Sequence, residues 1–259
     1  MKEFKTWRSY SLFAKKIRYD NRYFFDDEIQ YFLDTLIETS QKRITCIKKD
    51  TILWRAQLGC RLLPKYRNGK HDYDVQQPYT FERMKPLPDK AIEGRANSSG
   101  IPYLYLATEE DTALAEVRPW LGSEISLAKL KVVKELSLIN ISTNQETRKS
   151  YHLDEPPPEI REQLVWDNID YAFSRPISSE DRSTDYIPTQ IISELFKNNG
   201  NDGIIYKSKL GKGLNVVLFN IEIAEVISCE LYVLDNMNFN FSNISKGVKA
   251  ILLLRNSEM

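Results

Sequence analysis

Phe25, Ile29, Phe32 and Leu36 recur at three- and four-residue steps, with Asp and Glu among the residues between them. That period predicts a helix with one buried face. Asp26, Asp27 and Glu28 fall in its first turn, where carboxylates meet the positive end of the helix dipole. A shorter helix is predicted over residues 7–17. Neither Gly nor Pro interrupts the first fifty residues, so residues 1–48 read as a helical N-terminal extension. From about residue 51 the texture changes. TILWRAQL (51–58) and IPYLYLA (101–107) have the β-branched and aromatic character of strands. Residues 127–141 (LAKLKVVKELSLINI) also predict strand, and DGIIYKSK and LNVVLFNI form two strands flanking Gly211 and Gly213.

Helical signals lie between these strands. Thr108 with Asp111 resembles a capping box opening a short helix, with Ala113, Leu114 and Val117 as its apolar face. Helical pieces are predicted around residues 160–172, and IPTQIISELFKNNG (187–200) reads as a helix stopped by Gly200. Residues 64–93, rich in Pro, Tyr and charge, read as a long loop. Strands and helices interleave without a regular βαβ rhythm, which predicts an α+β fold. The division this suggests is 1–48 for the extension and 49–259 for the main domain, with its core at about 51–225.

Charge narrows the partners. Lys+Arg and Asp+Glu both number 36, so the formal net charge is zero and the basic excess of a nucleic-acid binder is missing. Three cysteines, Cys46, Cys60 and Cys229, stand far apart with no CxxC pair, which argues against a disulfide framework and a zinc cluster. The two histidines, His71 and His152, have no ligand-type neighbour at metal spacing, so no metal is expected. The N-terminus lacks an apolar signal-peptide core, and apolar stretches such as Ile251–Leu254 are too short to span a bilayer. A cytoplasmic protein without a membrane partner is expected.

No GxGxxG, GxxxxGK[ST] or GxSxG motif is present. Chemistry would therefore fall to Arg, Tyr, Glu and Ser. The segment GRANSSGIPYLYLATEEDTALAEVRPW (94–120) holds Arg95 after a glycine, Tyr105 ten residues on and Glu116 eleven further. Upstream lies LWRA with Trp54 and Arg55, and downstream GIIYKS with Ser208, the YIPTQIISELF helix and the LNVVLF strand. In this order the elements resemble the RES domain, named for its Arg, Glu and Ser, over about residues 51–225. One departure is Ala96, where an aromatic is usual after the Gly-Arg pair.

The resemblance implies an ADP-ribosyltransferase-like fold and consumption of NAD, with phosphate or water as acceptor. It also implies a toxin restrained by an antitoxin protein. NAD would be the substrate, with no prosthetic group; inorganic phosphate, an antitoxin and a second copy of the chain are the further candidate partners. Arg95, Tyr105, Glu116 and Ser208 become the candidate catalytic residues. Arg55, Arg95, Asn97, Tyr105 and Ser208 become the candidate nucleotide-binding residues, with Trp54 beside them.

The residue types suit that chemistry. Cleaving the nicotinamide–ribose bond leaves an oxocarbenium-like sugar, which a carboxylate such as Glu116 stabilises. Arg95 and Arg55 offer planar donor forks to a diphosphate. Tyr105 offers a stacking face, and Ser208 a hydroxyl for ribose or phosphate. Nicotinamide leaves neutral, so no strong general acid is needed. Against this stand plainer assignments: a surface arginine, a core tyrosine, an exposed Glu116–Arg118 pair and a turn serine. Two other functions remain open: ADP-ribosylation of a macromolecule, weakened by Leu114 where that pattern has a glutamate, and a non-catalytic nucleotide-sensing or partner-binding module.

Overall fold

The computed structural model describes residues 2–87, 90–143, 154–175, 183–238 and 240–242. His152 and the stretch Ile251–Leu254 lie outside them. Helices α1 (Ser9–Tyr19) and α2 (Asp27–Ser40) open the chain, followed by strands β1 (Ile44–Ile47) and β2 (Ile52–Leu58). A hairpin, β3 (Arg61–Arg67) and β4 (Lys70–Gln77), precedes β5 (Leu104–Ala107) and α3 (Glu110–Glu116). Then come β6 (Glu124–Val132), β7 (Leu136–Asn140), α4 (Pro158–Ser174), α5 (Ile187–Asn198), β8 (Gly203–Lys207), β9 (Leu214–Leu218) and β10 (Ala224–Val233). The fold is α+β.

Helix α2 begins where its carboxylates require. Asp26 is the N-cap, its side chain accepting from Ile29 N at 2.8 Å, while Asp27 and Glu28 occupy the first turn. Ile29, Phe32, Leu33 and Leu36 are buried, whereas Phe25 precedes the helix and is partly exposed. The segment read as wholly helical ends in strand β1, which pairs antiparallel with β7. The first half of the predicted long loop, residues 64–77, is instead part of the β3–β4 hairpin. Asn68 and Gly69 both have positive φ (51° and 76°), as a tight turn matched to the strand twist demands. The Asn-Gly pair was the signal, hidden by the surrounding charge.

Eight strands form one mixed sheet in the order β1-β7-β8-β9-β5-β2-β6-β10, with β3 and β4 apart. Among the described strand pairs of this sheet, β7 and β8 alone run parallel. Helices α1, α2, α4 and α5 cover one face, where Ile17, Leu36, Trp166, Phe173 and Phe196 meet Ile204 and Val217. The opposite face gathers Leu104, Leu138 and Leu218 with Leu53, Leu130 and Met84, so both halves of the sheet contribute to one apolar cluster. The halves join weakly. β2 pairs with β6 through seven residues, yet with β5 through Trp54–Ala107 alone. The sheet therefore opens between β2 and β5, and α3 packs beside the opening against β2, β5 and β6.

Among the described residues no helix is long and apolar enough to cross a membrane, and no three His, Cys, Asp or Glu side chains cluster as metal ligands. Cys46, Cys60 and Cys229 are free thiols.

Candidate active site

A cleft of about 210 Å³ occupies the opening, lined by Trp54, Arg55 and Ala56 from β2, Tyr105 from β5 and Glu116 from the end of α3. Tyr206 of β8 and Asn215 of β9 complete it. The space suits one end of a dinucleotide, not the whole of it.

Glu116 stands at the mouth with one carboxylate oxygen fixed. Oε1 accepts from Ser208 Oγ and from Asn215 Nδ2, each at 2.7 Å. Ser208 is itself locked, since its oxygen accepts from Leu210 N (3.0 Å) and Gly211 N (3.1 Å) in the β8–β9 turn. Its single proton is thereby aimed at Glu116. The turn is stitched to α3 as well: Gly213 N donates to Thr112 Oγ1, and Leu214 N to Thr108 Oγ1, both at 2.9 Å. Thr108 therefore ties two strands together and forms no capping box; the N-cap of α3 is Glu109, without a side-chain cap bond.

Arg55 lies on the other wall. Its Nη1 donates to the Tyr105 carbonyl at 3.0 Å, and its Nε is sealed from solvent with no partner among the described residues. Burial, reinforced by Arg83, lowers its pKa to about 10, still cationic at neutral pH. No carboxylate of the described residues pairs with it. A sheltered cation without a counter-charge favours an anion entering the cleft.

Tyr105 lines the cleft and packs against the helix-side core, while its hydroxyl is spent elsewhere. The hydroxyl donates to Asn97 Oδ1 (2.7 Å) and accepts from Ala96 N (2.9 Å). Burial pushes its pKa up to about 12. Tyr206 is raised further by the same cause. Asn97 is buried, and its amide reaches the carbonyls of Ile92 (3.0 Å), Ser98 (3.2 Å) and Ile101 (2.9 Å). Its side chain holds the 92–101 loop together. Thr189 and Gln190 of α5 grip the same loop, donating to the carbonyls of Arg95, Gly94 and Asn97.

Arg95 is not among the lining residues, although its charge acts on two of them, Tyr105 and Tyr206. Its guanidinium donates to the carbonyls of Ala172 (2.6 Å) and Arg175 (2.7 Å), at the end of α4. It thus meets the negative end of that helix, where carbonyls lack intrahelical partners. It also lies 5.6 Å from the Tyr186 ring centre. The geometry thus brings Trp54, Arg55, Tyr105 and Glu116 together on the lining of the cleft, with Ser208 bonded to Glu116, while Arg95 and Asn97 belong to the loop that holds the Tyr105 hydroxyl. Asn215 is the polar residue that sequence reasoning missed. Its signal was one amide inside the apolar run LNVVLF.

The family model for the RES domain matches residues 64–239, and the chain belongs to the RES-domain family. The match begins after Trp54 and Arg55 and continues through β10. No curated protein matches the chain by sequence. Among solved structures, a chain from the crystal structure of the M. tuberculosis MbcT–MbcA toxin–antitoxin complex is similar at 13% identity, covering 76% of this chain and 92% of that one, with a TM-score of 0.43.

Proposed function

We propose that this protein cleaves the nicotinamide–ribose bond of NAD, passing the ADP-ribosyl group to phosphate or water. In a cell it acts as a growth-arresting toxin held in check by an antitoxin protein. The observation that carries this reading is the Glu116 carboxylate, oriented by Ser208 and Asn215 at the mouth of a cleft whose far wall bears the uncompensated Arg55 cation. The carboxylate suits the positive charge that develops on the ribose as nicotinamide departs. Arg55 suits the diphosphate, and the Tyr105 ring offers the nicotinamide a flat face. Orientation and charge do the work, so the scarcity of histidine is no obstacle.

Expression in a bacterial host tests the cellular half of the proposal. Wild type should deplete NAD and stop growth, and Glu116→Gln should do neither. Growth arrest by both proteins would contradict it.

A further inference from the structure

We infer that Asn215 is a positioning residue of the proposed NAD cleavage, acting through Glu116 and determining which carboxylate oxygen faces the sugar. The inference rests on the functional reading above and extends it to a residue outside the Arg, Tyr, Glu and Ser set.

Both donors that reach Glu116 converge on the same atom, Oε1. Among the described residues Oε2 accepts no hydrogen bond. A carboxylate held on one oxygen by two donors cannot rotate freely, and its second oxygen keeps its lone pairs for the ribosyl cation or a ribose hydroxyl. The two donors come from different strands. Ser208 follows β8, and Asn215 lies within β9, paired to Ala107 on one side and Tyr206 on the other. Asn215 is therefore placed by two ladders, not by a loop, and its backbone position is the more constrained of the two.

Burial strengthens the case. Asn215 is 8% exposed, in a strand whose neighbours Val216, Val217 and Leu218 are core residues. An amide in such a run has no packing advantage over leucine and carries a desolvation cost unless it is bonded. The only side chain its Nδ2 reaches among the described residues is Glu116. Its presence is explained by that bond.

The test compares wild type, Asn215→Leu and Asn215→Ala for nicotinamide release from NAD, each also in a Glu116→Ala background. ADP-ribose binding, measured by calorimetry, reports whether the cleft is intact. Leucine keeps the volume and removes the donor; alanine removes the donor without bulk and covers the case in which leucine fails to fold. Both variants should lose about 10- to 100-fold in kcat, with KM for NAD and ADP-ribose affinity within about twofold of wild type. In the Glu116→Ala background the same substitutions should leave the residual rate unchanged, because the residue they act through is gone. Full kcat in both Asn215 variants, or an equal loss with Glu116 already removed, would overturn the inference. A wild-type protein that releases no nicotinamide would instead overturn the functional reading, and the inference with it.

Discussion

Arg55 reaches across the opening in the sheet to the Tyr105 carbonyl, 3.0 Å away, where the strand ladder itself contributes a single residue pair. The bond spans the site from one wall to the other. It engages one nitrogen of a guanidinium that has no carboxylate partner among the described residues. Replacing such a sheltered charge with an apolar side chain of similar length removes a desolvation cost along with the bond. Arg55→Met should therefore shift the melting temperature of the ligand-free protein by only about 4 °C in either direction, while abolishing the rise that ADP-ribose produces. A normal ligand-induced rise in the variant would limit Arg55 to tying the strands.

The loop behind Tyr105 should be far less tolerant. Asn97 joins three carbonyls and the Tyr105 hydroxyl, and a Cβ on Gly94 would fall 2.5 Å from that hydroxyl and 2.6 Å from Asn97 Oδ1. Asn97→Ala should cost about 2–3 kcal/mol, because it removes the amide that bridges three carbonyls and the acceptor of the Tyr105 hydroxyl proton. Gly94→Ala should be destabilising through the clash. Urea midpoints measure both, and a change within experimental error for Asn97→Ala would refute the keystone role.

Arg95 supports α4 through two carbonyls at once, a geometry that a lysine cannot reproduce. Arg95→Lys should lower stability by roughly 1–2 kcal/mol despite keeping the charge. Unchanged stability combined with lost ADP-ribose binding would instead assign Arg95 to the ligand.

Alkaline titration offers an independent check on the buried phenols. Tyr105 and Tyr10 are both pushed up to about 12 by burial, against an ordinary value of 10.0. The unfolded chain loses these protons first. Their contribution to stability is therefore complete below pH 10 and falls as the pH rises from about 10 to about 12. Tyr105→Phe should flatten the decline in stability over that window. An identical slope in the variant would show that Tyr105 ionises with the exposed tyrosines.

Much of this was legible in the residues. The stripe of α2, the strands β2, β5, β8 and β9, and the helix stopped by Gly200 follow from period and turn chemistry. So does the α+β class. The hairpin tip was legible in Asn68-Gly69 but lost among charged neighbours. Strand β1 escaped notice because four residues carry too little pattern to separate strand from helix. At the site, local sequence gave residue types but not direction. Arg95 sits close to Asn97 in the chain, yet its side chain turns to the Ala172 carbonyl of α4, 77 residues further on. Asn215 meets Glu116 across 99 residues, a contact that no local pattern encodes.

The most direct measurement is nicotinamide release from NAD by purified wild-type protein and by Glu116→Gln, with and without inorganic phosphate. The account predicts NAD loss with the wild type and a fall of at least about 100-fold with the variant, with the phosphate dependence distinguishing phosphorolysis from hydrolysis. Equal NAD cleavage by both proteins, or none by the wild type in either buffer, would contradict it.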